Sequence, residues 1–451
     1  VLHRRDEVRR GPRQDRDPRG RRDRRQRRHR RDPERLRHRS RTEDLAAGPR
    51  SRCRADADRS RTRRVPVFER DARQHRRHAH ARLIVRIAKY LPSHRHSRIE
   101  PRSYTMKIVK PLLIAAAVAA ALSAAPTAFA AGAGAEAVRP DATTSAFLAV
   151  LNGQKGPGLE TLSPAKARQV LVDAQNGTKV DLSGIDVSNR TIEQDGVSVP
   201  VTIVRPQGAT GTLPVFMFIH GGGWVLGDFP THERLVRDLV VQSGAVAVFV
   251  NYTPSPEAHY PVAINQAYAA TKWVAAHGAE IGVDGGRLAV VGNSVGGNMA
   301  AVVALMAKDK GGPAIRFQGL MWPVTDHNFN TGSYNAYQQG HFLTRPMMKW
   351  FWDAYTKNEA QRNEIYASPL RASTAQLKGL PPALIQVAQF DVLRDEGEAY
   401  GRKLDAAGVD ATTTRYDGTI HDFGLLNALA TDAPTKAATK AMANEIATRL
   451  K

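Results

Sequence analysis

The sequence predicts an α/β fold: a mostly parallel central sheet, helices on both faces and a small helical cap. Three observations carry that prediction. Short apolar runs rich in Val, Ile and Phe alternate with helical segments from residue 197 to the C-terminal region. Runs of this kind suit strands covered on both faces, and the alternation favours parallel pairing through right-handed crossovers. One run leads into G-x-S-x-G, as VVGNSVGG at 290–297, and another into a glycine triplet, as FIHGGGW at 218–224. Reactive residues in such a sheet gather at the carboxyl ends of strands, so position tests each candidate.

The elements follow in order. Ser163 is an N-cap candidate with Pro164 at the first helical position, so SPAKARQVLVDAQ at 163–175 reads as a helix. VSVPVTIVRP (197–206), LPVFMFIH (213–220) and AVAVFVNY (245–252) read as strands, followed by RLAVVG (287–292), IRFQGLMW (315–322), PALIQVAQF (382–390) and ATTTRYD (411–417). THERLVRDLVVQSG, VAINQAYAATKWVAAHG, NMAAVVALMAKD and DEGEAYGRKLDAAG are the helices between them. The stretch 326–370 breaks the rhythm. It is dense in aromatic and Met residues (Tyr334, Tyr337, Phe342, Met347, Met348, Trp350, Phe351, Trp352 and Tyr355). Its place between two strands predicts a lid over their ends.

Charge divides the chain. Residues 1–130 hold 38 of the 66 Lys and Arg but 14 of the 43 Asp and Glu, so the net charge of +23 lies outside residues 131–451. Residues 1–105 form an Arg-rich leader with almost no apolar periodicity, expected to be disordered or foreign to the natural protein. A basic arm for nucleic acid or anionic lipid is the competing reading. From Met106, MKIVK leads into PLLIAAAVAAALSAA and then Ala128-Phe129-Ala130, the order of a secretory signal peptide over 106–130. Its apolar core is shorter than the roughly 20 residues of a membrane-spanning helix. The expected mature chain is 131–451, one catalytic domain, exported to the periplasm or medium, with no stable membrane span and no nucleic-acid partner. Cys53, the only cysteine, lies in the leader, which leaves the mature chain neither a disulfide nor a thiol nucleophile.

The chemistry centres on Ser294. Gly292 and Gly296 leave room for a tight strand–nucleophile–helix turn. A serine hydroxyl is weakly nucleophilic at neutral pH and requires a base with an orienting group. His421, in GTIHDFG just after a strand, is the best base. Asp391, at the carboxyl end of PALIQVAQF, is the best acid, whereas Asp395 and Glu396 fall in the first turn of the next helix and favour its dipole. The order Ser294, Asp391, His421 suits this architecture. Backbone N–H groups of Gly221, Gly222 and Val295 are the expected oxyanion donors. His220 is expected beneath the glycine loop in a structural role. No metal or organic cofactor is implied.

These residues resemble the hormone-sensitive-lipase-like branch of the α/β-hydrolases, with its HGGG and GDSAGG signatures. The matching segments are HGGGW at 220–224, GNSVGG at 292–297, NYTPSPEAHYP at 251–261, DVLRDE at 391–396, HDF at 421–423 and SPAKAR at 163–168. The resemblance implies the α/β-hydrolase fold, with a cap formed by the N-terminal helical region (about 160–190) and the insertion 326–370. It implies a serine carboxylic-ester hydrolase that forms an acyl-enzyme from short to medium acyl esters. Three departures stand out: Asn293 for Asp, Val295 for Ala, and Asp422 for Gly beside the base. Asp422 is expected to raise the pKa of His421. A deacetylase or amidase would use the same triad. A non-catalytic hydrolase-like protein and a basic nucleic-acid-binding protein are the readings from other classes. The oligomeric state is not legible.

Overall fold

The computed structural model describes residues 138–451. The Arg-rich leader, the secretory segment 106–130 and the Ala131 junction lie outside the described residues.

Helix α1 (Ala142–Gly153) begins where the Asp141 carboxylate accepts the Thr144 N–H. In α2 (Pro164–Asn176) the Ser163 hydroxyl caps the Lys166 N–H, and proline takes the first helical position, where no N–H is needed. Then come β1 (Ile185–Gln194), β2 (Val197–Pro206), β3 (Leu213–Ile219), α3 (Phe229–Ser243), β4 (Val246–Val250), α4 (Val262–His277), β5 (Val283–Asn293), α5 (Val295–Asp309) and β6 (Phe317–Met321). Helices α6 (Gly332–Tyr337) and α7 (Arg345–Tyr355) precede the short turns Glu359–Arg362 and Thr374–Leu377. β7 (Ala383–Phe390), α8 (Arg394–Ala406), β8 (Ala411–Ile420) and α9 (Ala433–Arg449) complete the order.

The eight strands form one sheet in the order β1-β2-β4-β3-β5-β6-β7-β8. β1–β2 and β2–β4 are antiparallel, and every later pair is parallel. Alternate side chains of a strand point to opposite faces. Val215, Met217 and Ile219 of β3 accordingly enter one core while Phe216 and Phe218 enter the other, and Leu288 and Val290 of β5 oppose Ala289 and Val291. α4, α5 and α8 cover the first face, α3 and α9 the second. The continuous apolar runs are thereby explained.

The structure departs from the sequence reading in four places. β1 is an edge strand with one buried residue, Ile192, so its mostly polar sequence carries little strand signal. The N-terminal segment expected to serve the cap to about residue 190 enters this strand at Ile185. α1 and α9 were not expected. The sequence of α9 shows no sharp apolar stripe, yet Ala438, Met442, Ala443 and Ile446 are buried. β8 continues through Gly418 to Ile420, because Gly418 adopts φ 77° and its N–H donates to the Gln389 side chain.

Candidate active site

Ser294 stands between β5 and α5 with φ 55° and ψ −122°. That conformation is strained for a residue with a Cβ, costing about 1–3 kcal/mol. The surroundings hold it there: the Ser294 N–H donates to the Met321 carbonyl (2.9 Å), and the Ser294 carbonyl accepts from Asn298 (3.1 Å) and Val324 (3.2 Å). A Cβ on Gly296 would overlap the Ile219 carbonyl oxygen, so the turn packs backbone to backbone against the end of β3.

His421 follows β8 directly and Asp391 follows β7, so both stand at carboxyl ends beside Ser294. The Ser294 hydroxyl lies 3.0 Å from His421 Nε2, and His421 Nδ1 lies 2.7 Å from Asp391 Oδ2. An ionised Asp391 places the proton on Nδ1, which leaves Nε2 to accept from the serine. The other Asp391 oxygen accepts the Leu393 N–H at 2.9 Å and so fixes the carboxylate plane. All three residues are buried. Burial works against a charged imidazole, but Asp391 and Asp422 together outweigh it and hold the His421 pKa above its ordinary value.

Asp395 and Glu396 are elsewhere. Asp395 accepts the Ser333 N–H (2.6 Å) and pairs with Arg394 (2.8 Å). Glu396 stands in the first turn of α8 as expected, but it is buried: it accepts the Thr325 and Asp326 N–H groups, and burial pushes its pKa well up. The sequence offered no sign of that role.

The glycine loop requires a correction. The Gly221 N–H donates to Asn293 Oδ1 at 3.0 Å and is not available to an oxyanion. Gly222 and Gly223 line the cavity above Ser294, and neither N–H makes a hydrogen bond among the described residues. The free donors therefore lie one residue further along than the sequence suggested. His220 is buried beneath the loop, stacked on Tyr252 with ring centres 4.1 Å apart, and its Nδ1 lies 2.8 Å from the Gly221 carbonyl. Burial lowers its pKa to about 4, which makes it a neutral structural donor near pH 7.

Ser294 and His421 open into a cavity of about 470 Å³. Phe147 and Leu151 of α1, Val170 and Leu171 of α2, and Met347 and Phe351 of α7 supply apolar walls. Trp352 points elsewhere, edge-on to Trp224 in the core. Arg168 of α2 joins this wall to the oxyanion loop, donating to the Val225 (2.7 Å) and Ser255 (3.0 Å) carbonyls and pairing with Glu257 (2.6 Å).

Comparison with known proteins agrees with this fold. A family model described as the alpha/beta hydrolase fold matches residues 216–425. A thermostable esterase of solved structure from Pseudomonas putida is 64% identical, with a TM-score of 0.69, and the match covers 70% of this chain and 99% of that one. The carboxylesterase NlhH of Mycobacterium tuberculosis is 36% identical over 244 residues, covering 54% of this chain and 76% of its own. The chain belongs to the α/β-hydrolase carboxylesterases. This overturns the narrower affiliation expected from the motifs, the hormone-sensitive-lipase-like GDSAGG branch. The relatives are carboxylesterases of the NlhH and LipN kind. Asn293 and Val295 are positions at which this carboxylesterase departs from that signature. It is a serine ester hydrolase working through an acyl-enzyme.

Proposed function

We propose that Ser294 is the nucleophile, His421 the general acid–base and Asp391 its orienting acid, acting on short to medium acyl esters. The continuous hydrogen-bonded line Ser294–His421–Asp391 at the mouth of an apolar cavity carries this reading. His421 Nε2 takes the Ser294 proton as Oγ attacks the ester carbonyl. Charge developing on the carbonyl oxygen meets the Gly222, Gly223 and Val295 N–H groups, fixed before the reaction begins. His421 then protonates the leaving alcohol, and a water activated by the same nitrogen releases the acid.

A cavity of about 470 Å³ suits a small or medium ester. A Pseudomonas putida protein called ethyl acetate hydrolase, 33% identical over 243 residues, supports the small end of that range. The sequence MKIVKPLLIAAAVAAALSAAPTAFA supports export, with cleavage before Ala131.

Ser294→Ala is expected to abolish hydrolysis of 4-nitrophenyl acetate and covalent labelling by an organophosphonate, with the thermal transition retained. Undiminished turnover in that variant would move the nucleophile elsewhere.

A further inference from the structure

Two departures seen separately in the sequence, Asn293 and Asp422, meet in space. Asn293 Oδ1 accepts the Gly221 N–H (3.0 Å), and Asn293 Nδ2 donates to Asp422 Oδ1 (3.0 Å). The same Asp422 oxygen accepts the Trp322 indole N–H at 2.6 Å. Its other oxygen lies 3.7 Å from His421 Nε2. Asn293 is fully buried and Asp422 nearly so. The backbone of Asp422 has φ 57°, a region glycine enters freely and other residues enter at a cost. A side chain kept there needs compensation, and the two hydrogen bonds to its carboxylate supply it.

We propose that Asn293 is a positioning residue, that its amide is required because Asp422 stands opposite, and that the pair ties the oxyanion loop to the loop bearing His421. The inference rests on the reading of Ser294 and His421 given above. An amide performs both tasks at 293 without taking up a proton: its oxygen receives the Gly221 N–H while its nitrogen faces a carboxylate. An ionised carboxylate at 293 would keep the first bond and set two buried acids against each other. The amide at 293 and the carboxylate at 422 are therefore a matched pair. Asparagine belongs with aspartate at 422, and an acid at 293 belongs with a residue lacking a charge there.

A double-mutant cycle on 4-nitrophenyl acetate tests this. Asn293→Asp alone is expected to lower kcat by about ten-fold or more, with a smaller change in KM, because the oxyanion donors act in the transition state. In an Asp422→Gly background, which φ 57° tolerates, the same substitution should cost about three-fold or less. If Asn293→Asp prevents folding and Asp422→Gly restores it, the pairing is supported equally. An equal loss of kcat in both backgrounds, failure to fold in both, or no loss in the native background would overturn the proposal. Phosphonate labelling of Ser294 in each folded variant separates this outcome from failure of the triad reading, which Ser294→Ala tests directly.

Discussion

Two carboxylates four positions apart in DVLRDE have different surroundings. Asp391 faces His421, and Asp395 faces the Ser333 backbone and Arg394. Asp391→Asn is expected to reduce kcat severely, since an asparagine at this place holds the imidazole in the wrong tautomer. Asp395→Asn should leave kcat near normal and cost about 1 kcal/mol of stability through weakened hydrogen bonds. Steady-state kinetics with thermal melting of both variants would expose a reversal. The charged groups against His421 are Asp391 and Asp422, and both raise its pKa. The protonated imidazole cannot accept the serine proton, so kcat/KM should fall as pH drops through a value raised above that of an ordinary histidine. Asp422→Asn removes one of those charges, and its acid limb should lie at lower pH than that of the wild type. Coincident pH profiles would mean that His421 does not sense Asp422. The placement of Ser294, Asp391 and His421 was legible because each directly follows a strand, a property of chain order. The state of Gly221 was not, because its N–H is taken by a side chain seventy-two residues away, and nothing in the triplet distinguishes the occupied donor from the free ones.

Elements carried unequal signals. β3 through β7 announced themselves as apolar runs because both faces of those runs are buried. In α7 the composition predicted a lid, but only the helical phase decides which rings face the cavity. Met347 and Phe351, four apart, line it together, whereas Trp352 turns towards Trp224 and Tyr355. Met347→Ala is therefore expected to shift the preferred acyl length, with discrimination between neighbouring lengths changing by about 1–3 kcal/mol. Trp352→Ala should instead cost about 3–5 kcal/mol of stability and leave the chain-length ratios unchanged. A series of 4-nitrophenyl esters assayed on both variants, alongside chemical denaturation, distinguishes them. Unchanged ratios for Met347→Ala would exclude this wall as the acyl gauge.

At the scale of the whole chain, composition said more about division than about shape. The net positive charge lies in the first 130 residues, and the residues proposed for catalysis all lie beyond them. Expressed in an exporting host, the active enzyme is expected to begin at Ala131, checked by N-terminal sequencing and intact mass. The Arg-rich leader found on active secreted protein would refute this. The sheet itself ends in strands of different legibility, and β1 was the least visible in the sequence. Its exposed positions are Asp186, Val187, Ser188, Asn189, Thr191 and Glu193, all polar but Val187, while the neighbouring β2 buries Val199, Val201 and Ile203. Without β1, that apolar strand would offer a row of unpaired backbone groups to any other copy of the chain. The polar character that hid β1 from pattern reading is thus a barrier to strand-by-strand polymerisation. Replacing its outward Asp and Glu with Val would sharpen the strand's pattern while turning the enzyme's edge into a template for aggregation.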